Sequence, residues 1–300
     1  MLKIIKYPAY LSPSSLGAWE KQPNKFYLQR MAPNPWPFDP QGLAAAVGSA
    51  FDARIKQYYC QLLGKEDEVK ELVIKDSYVS DAEKDVLRQC NFYEALCKTN
   101  IDKGHYDEAV QVGQNLYQFV SRTPFVRRPI EKLEVHYNFI LYGLFNVPLF
   151  MKLDAAVRDE DGQLCPMDWK VNGYGSQASP KKGFKELYDG MSIVEKHKDY
   201  REEMCLSEID RSWATQMCIY GWGLGRKIGE PFRAYIDNLV IRKTGVRAVH
   251  YCNWISSEFQ GEVAQRLRVA WEGIKSNSFV QSLGNERVFV EMAAREERWY

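Results

Sequence analysis

Hydrophobic and polar positions follow two different periods along the chain, and the change of period divides it. From residue 43 to about 121 the period is helical. In LAAAVGSAFDARIKQYYCQLLG (43–64), Val47, Phe51, Ile55 and Tyr58 recur at spacings of four and three, the mark of one buried helix face. Residues 65–87 carry eight acids and four bases. From there to about 121 the chain reads as solvated helix, so 65–125 is taken as a helical insertion within a single domain. Near 130 the period shortens to two. Leu133, Val135, Tyr137, Phe139 and Leu141 alternate as in a strand. Residues 147–171 read as two strands around an acidic glycine turn, and 232–255 as another pair turning at Lys243-Thr244-Gly245. Between these pairs, 172–200 reads as a Gly/Lys-rich loop and 207–229 as a helix ending in glycines. A last helix covers 257–276, with Phe259, Val263, Leu267, Trp271 and Ile274 on one face, and 278–300 is a C-terminal tail. At the other end, Ser14-Ser15-Leu16 caps a helix running towards Arg30. Helix, strands, helix, strands, helix predicts one α/β domain over 1–300.

Composition narrows the class of function. With 300 residues, 45% hydrophobic and 26% charged, the chain is an ordinary globular one with material for a core. A net charge of +1 gives no whole-molecule basic field, so any nucleic-acid contact must be local. Seven cysteines, an odd number without a C-x-x-C, read as reduced buried thiols rather than a disulfide framework or zinc site. The apolar stretch in MLKIIKYPAYLSPSS is short for a signal peptide, and no run reaches the ~18 apolar residues of a membrane span. The expectation is a cytoplasmic protein with no membrane partner.

The strongest chemical signal is Asp168-Trp169-Lys170 at the end of a strand. Residues i and i+2 of a strand share a face, so Asp168 and Lys170 point the same way and Trp169 points back. A carboxylate there can hold a hard cation, and the lysine can orient a water and offset developing negative charge. A surface salt bridge is the plainer reading of such a pair. Asp154, ending the preceding strand, joins the same face only in one register. A two-residue turn at Asp161-Gly162 would put Asp154 opposite Trp169. A three-residue loop, Glu160-Asp161-Gly162, puts it opposite Asp168, and glycine at the last position favours that loop. Downstream, Gln216 and Tyr220 lie four apart on one helix face, suited to phosphate or sugar oxygens. In the Ala-rich helix, Gly48 is explained by close packing, and Asp52 is either a solvated acid or a third metal carboxylate.

The ordered set of Gly48 and Asp52 on a helix, Glu134 on a strand, Asp154, Asp168-Trp169-Lys170, and Gln216 with Tyr220 resembles the PD-(D/E)XK nuclease superfamily, in its RecB-like exonuclease branch. LSPSSLGAWEKQPNKFYLQR near the N-terminus is similar to that branch's opening segment. The resemblance spans roughly 10–225, with no motif in 65–125. It implies a restriction-endonuclease-like core, a central mixed sheet flanked by helices. It further implies that Asp154, Asp168 and the main-chain carbonyl of Trp169 bind Mg²⁺ or Mn²⁺, that Lys170 is the catalytic lysine, and that Gln216 and Tyr220 shape the site and hold DNA. Glu134 falls where the branch often has a strand glutamate.

Two positions depart from the family. Asp52 stands where the branch usually has a metal-binding histidine, which puts the metal preference in doubt. Some members carry an iron–sulfur cluster on four cysteines; here Gln22-Pro23 occupies the first site and no cysteine follows Cys252, so no cluster is expected. Lys181, Lys182 and Lys185, in the loop between the catalytic strand and the Gln/Tyr helix, are candidates for DNA contact, or an ordinary solvated loop. The function expected is metal-dependent DNA hydrolysis, as an exonuclease, in recombination, repair, phage or defence processes. A recombinase, helicase or single-strand-binding protein would be its partner. The other readings are a nuclease-fold protein that binds DNA or a partner without cleaving, a metal-free hydrolase with paired carboxylates, and RNA cleavage by the same site.

Overall fold

The computed structural model describes residues 8–32, 35–77, 79–123, 125, 129–141, 146–175, 179–189, 192 and 203–276. The tail at 278–300 and parts of the 172–200 loop lie outside these residues. The architecture is α/β: a mixed six-stranded sheet accompanied by helices. No described helix is long and apolar enough to cross a membrane.

The N-terminal helix is two helices, α1 (Pro13–Lys21) and α2 (Pro23–Arg30). Pro23 lacks an N–H and restricts the residue before it, so the chain breaks at Gln22. Ser12, not Ser14, is the cap: its hydroxyl accepts from the Ser15 N–H, and Ser15 answers from its own side chain. The period-four face forms α3 (Leu43–Leu63), which Gly64 ends at φ +65. The acidic stretch folds as α4 (Glu66–Lys75), α5 (Asp81–Gln89) and α6 (Phe92–Asn100), followed by α7 (Tyr106–Val120).

Then come β1 (Lys132–Leu141), β2 (Val147–Arg158), β3 (Leu164–Asn172) and β4 (Lys185–Tyr188). Two helices follow, α8 (Leu206–Ile209) and α9 (Arg211–Gly223), with Asp210 capping α9. The chain continues with β5 (Phe232–Arg242), β6 (Gly245–Ile255) and α10 (Ser257–Ser276). The sheet order is β1-β2-β3-β5-β6-β4. β3 and β5 are parallel, while β2 with β3, β5 with β6, and β6 with β4 are antiparallel. β4 lies in the segment read from sequence as loop; four residues among glycines and lysines give too short an alternation to register.

The chain divides into two compact units, with β1 and β2 split between them. One comprises 1–39, 137–151 and 257–300. In it Leu11 bridges to Leu149, and Arg266 grips Glu20 through two hydrogen bonds of 2.7 Å. The five apolar residues of the α10 face are all buried. The other unit comprises 40–136 and 152–256 and holds every candidate chemical group.

Its core joins α3, α4, α6 and α7 to the sheet: Val47, Phe51, Val69, Val73, Leu96 and Leu116 share one cluster with Met167, Trp169 and Tyr235. Tyr59 is buried, whereas Tyr58 is only partly so, because the buried face drifts by one step along the helix. α7 crosses α3 at Gly113, where a Cβ would lie 2.6 Å from the Ala50 Cβ.

Candidate active site

The β2–β3 hairpin sets the register of the acids. Ala155 pairs with Met167 and Arg158 with Leu164. The Asp159 N–H donates to the Gln163 carbonyl (3.0 Å) and the Gly162 N–H to the Asp159 carbonyl (3.0 Å). Gly162 takes φ +71. This is the three-residue loop, and one further step along the ladder puts Asp154 opposite Asp168. β2 continues past Asp154 to Arg158, so the aspartate sits within the strand rather than at its end. The two carboxyls act on each other: Asp168 draws Asp154 down and Asp154 pushes Asp168 up.

Successive residues of β3 face opposite sides. The Trp169 indole stacks on Tyr59 of α3, with ring centroids 5.9 Å apart. Asp168 and Lys170 turn the other way, towards α9. The Lys170 ammonium pairs with Asp168 and donates to Gln216 Oε1 (3.0 Å), and Gln216 Nε2 donates to the Tyr220 hydroxyl (3.1 Å). The i, i+4 spacing of the helix thus carries a continuous chain of polar contacts from Asp154 to Tyr220.

The second half of the site was not foreseen. The Lys56 ammonium, one turn after Asp52 on α3, lies 2.7 Å from Asp52, 2.6 Å from Glu134 and 3.0 Å from Asp154. Its side chain is 4% exposed and that of Glu134 0%. Glu134 reaches it through a distorted strand. At φ +47 it takes a left-handed backbone that costs a non-glycine residue about 1–3 kcal/mol. Leu133 and Glu134 are therefore both buried, and the alternation expected along β1 fails there, leaving Tyr137 exposed.

The other Glu134 oxygen meets His136 Nε2 (2.6 Å) and Lys152 (3.6 Å), and His136 Nδ1 meets Asp76 (2.5 Å). His136, given no role from sequence, buttresses Glu134. An Asp-x-x-x-Lys pair one step from the apolar face was the signal for Lys56, legible as an i, i+4 ion pair.

Charge settles unevenly over these groups. Burial pushes Asp52 up to about 7, against the pull of Lys56 and with the help of Asp154 and Glu134. Burial also raises Asp168 well above the carboxylate range, Lys170 opposing and Asp154 adding to it. For Asp154 and Glu134 burial pushes upward but loses: Lys56, foremost, holds Asp154 below its usual range and Glu134 down to about 2. Lys56 itself stays well above an ordinary lysine, since Asp154, Asp52 and Glu134 outweigh the cost of burying it. Burial, then the charges of Asp168 and Asp154, keep the Tyr220 phenol protonated.

Four carboxylates thus share the close ammonium groups of Lys56 and Lys170, with Lys152 3.6 Å from Glu134, and the negative charge left over adds to burial in raising Asp52 and Asp168 above the ordinary carboxylate range. A divalent cation fits that excess, and the donors are hard oxygens of the kind Mg²⁺ and Mn²⁺ take. Asp52 Oδ1 is buried without a hydrogen-bond partner. Among the described residues, however, no three acidic, histidine or cysteine side chains converge as a ready metal cage, because Lys56 holds three of the four acids.

The remaining sequence candidates stand apart. A Cβ at Gly48 would meet nothing within 4 Å, so close packing does not account for that glycine. Lys181 is tied to α9: it pairs with Asp210 and lies 4.5 Å from the Trp213 ring centroid. Lys182 is exposed. Lys185 sits in β4, opposite His250 of β6, at the sheet edge. His250 Nδ1 meets Asp237 at 2.5 Å in the core. None of the seven cysteines is in a disulfide.

No family model matches the chain, and no curated protein does. Among solved structures it is similar to a Eubacterium rectale protein provisionally named an exonuclease, with 13% identity, 88% of this chain and 79% of that one covered, and a TM-score of 0.47. It is also similar to the protein SSO0001, with 9% identity, 85% and 81% coverage and a TM-score of 0.26. Both likenesses are too distant to assign a family.

Proposed function

We propose that this protein is a metal-dependent deoxyribonuclease, an exonuclease of the RecB-like kind. One observation carries the reading: Asp154 faces Asp168 across the β2–β3 ladder, with Lys170 beside them hydrogen-bonded to Gln216. Asp154, Asp168 and the Trp169 carbonyl would hold Mg²⁺ or Mn²⁺, with Asp52 Oδ1 nearby. The ion supplies Lewis-acid polarisation of a phosphoryl oxygen and lowers the pKa of a bound water. Lys170, held in place by Asp168 and Gln216, positions the attacking water and offsets charge on the phosphate. Gln216 and Tyr220 present an amide and a protonated phenol to DNA oxygens. Of the three candidate lysines, Lys182 is the exposed one and the most accessible to a phosphate. Recombination, repair, phage or defence DNA processing is the setting this chemistry suits, with a helicase, recombinase or single-strand-binding protein as partner.

The second reading, DNA binding without cleavage, is favoured by Lys56, whose ammonium already satisfies three acids. Digestion of end-labelled linear and covalently closed circular DNA with Mg²⁺, Mn²⁺ or EDTA decides between them. Metal-dependent loss of the linear DNA alone establishes an exonuclease. Cleavage of both makes it an endonuclease. Binding without cleavage under either metal supports the second reading.

A further inference from the structure

Lys56 is an unusual neighbour for a metal-binding site, and its position decides how many ions the site can hold. Its ammonium contacts Asp52, Glu134 and Asp154 within 3.0 Å. It has little freedom to leave: the side chain is 4% exposed, and on α3 it follows Ile55 and Phe51, both packed at 0–1% exposure. Glu134 accepts a strained backbone to reach it. The groups facing this cluster from other elements are Lys152 and His136, both on the far oxygen of Glu134, then Asp168 and Lys170 beyond Asp154. Asp76 closes the outer side through His136.

We propose that Lys56 is a resident cation of the site, standing where a second metal ion would otherwise sit, so that the protein takes up a single divalent ion at Asp154 and Asp168. The proposal rests on the metal-dependent reading of these acids. The charge arithmetic supports it. Asp52, Glu134, Asp154 and Asp168 carry four negative charges when ionised; Lys56 and Lys170 neutralise two, Lys152 at 3.6 Å from Glu134 offsets part of a third, and one divalent ion is enough to neutralise what remains. A second divalent ion would add positive charge to a buried cluster already neutralised and would have to displace an ammonium that bonds three carboxylates. Removing the ammonium reverses the balance. Asp52 and Glu134 then lose their cation, and two oxygen ligands next to Asp154 become available to a second ion.

The test counts ions on the full chain without DNA. Mn²⁺ is titrated into wild type, Lys56→Ala and Lys56→Arg, and bound ion is read by electron paramagnetic resonance and calorimetry. Melting temperature is followed in EDTA and in Mn²⁺. The expected result is one Mn²⁺ per chain for wild type and for Lys56→Arg, which keeps the charge. Lys56→Ala is expected to bind two, with a lower melting temperature in EDTA that Mn²⁺ restores more steeply than in wild type. Asp52→Asn added to Lys56→Ala should return the count to one. Should Lys56→Ala fail to fold even with Mn²⁺, Lys56→Met, which removes the ammonium but keeps the aliphatic volume beside Phe51 and Ile55, takes its place with the same expected count of two. Two ions on the wild type, or the same count and affinity with and without the Lys56 ammonium, would overturn the proposal while leaving the nuclease reading intact. No Mn²⁺ on any variant would remove the metal-dependent reading itself.

Discussion

The Lys56 ammonium lies 2.6 Å from Glu134, and both side chains are closed off from solvent, at 4% and 0% exposure. An ion pair so enclosed gains little over a well-packed apolar pair, but breaking it leaves a bare charge inside the protein. Lys56→Ala is therefore expected to cost about 3–5 kcal/mol in EDTA, read from urea denaturation. Lys56→Arg keeps the charge and should cost markedly less. Equal stability of wild type and Lys56→Ala would mean that the acids find their cation elsewhere.

The same pair shapes the response to acid. Glu134 ionises near 4.5 when unfolded and near 2 when folded, because burial is outweighed by Lys56, His136 and Lys152. A depressed folded pKa gives stability that is complete above pH about 4.5 and lost as pH falls towards 2. Glu134→Gln should lower stability at pH 7 and flatten the acid limb of the stability–pH curve, followed by denaturation in EDTA at each pH. An unchanged acid limb would remove Glu134 from the cluster's charge balance.

Two glycines should respond to alanine in opposite directions. At Gly113 the added Cβ would lie 2.6 Å from the Ala50 Cβ and 3.0 Å from the Ala50 backbone, so α7 must lift from α3. Gly113→Ala should destabilise by about 1–3 kcal/mol. At Gly48 the added methyl meets nothing within 4 Å. Gly48→Ala should stabilise the helix interior by about 0.5–1 kcal/mol. If DNA uses the open surface over that turn, the same change should weaken binding at the same time, which a titration of labelled DNA in Ca²⁺ would read.

Lys170 pairs with one carboxylate, Asp168, where Lys56 bonds three, and its side chain is 23% exposed against 4% for Lys56. Lys170→Ala should accordingly keep the fold and lose cleavage by at least about a hundredfold, the scale of removing one well-placed charge-stabilising group. Cleavage at the wild-type rate would place the chemistry away from β3.

The thiols give a probe of the fold without assuming any function. Burial, foremost, pushes Cys60 and Cys165 up to about 12 and Cys97 up to about 11. Cys218 is buried as well. Cys90, Cys205 and Cys252 are half-buried. A thiol reagent at pH 8 should modify these three first and the other four only on unfolding. Early modification of Cys60 would show that α3 does not stay docked.

What could be read from the chain beforehand was whatever its short-range chemistry decides. Gly162 at the end of a three-residue loop fixes the β2–β3 register, and with it the meeting of Asp154 and Asp168. The 3.6-residue period of α10 and the i, i+4 spacing of Gln216 and Tyr220 are local in the same sense. Lys56 was hidden because its partners come from three elements. Only Asp52 is near in sequence, and an Asp-x-x-x-Lys pair normally faces water. The bend at Glu134 was hidden because a single left-handed residue leaves a strand's alternation looking intact in sequence, while its burial shifts by one. His136 lacked any ligand spacing, and its partners, Asp76 and Glu134, belong to different elements. Gly48 was given a packing role because a glycine inside a helix invites one, and the space beside it proves empty.

Lys56 and Asp154 are 98 positions apart. A ribosome adding about 5–20 residues per second completes Lys56 roughly 5–20 s before its last carboxylate partner exists. Until Glu134 is made, most of that interval, the ammonium has only Asp52 beside it on α3, and dehydrating it would be costly. The nascent α3 must therefore keep this edge in water, and its docking onto Trp169 waits for the second half of the chain. Biogenesis of this protein is then governed by closure of one very long loop, and an N-terminal fragment ending before β1 is left with Asp52 as the one partner of its lysine among these three acids.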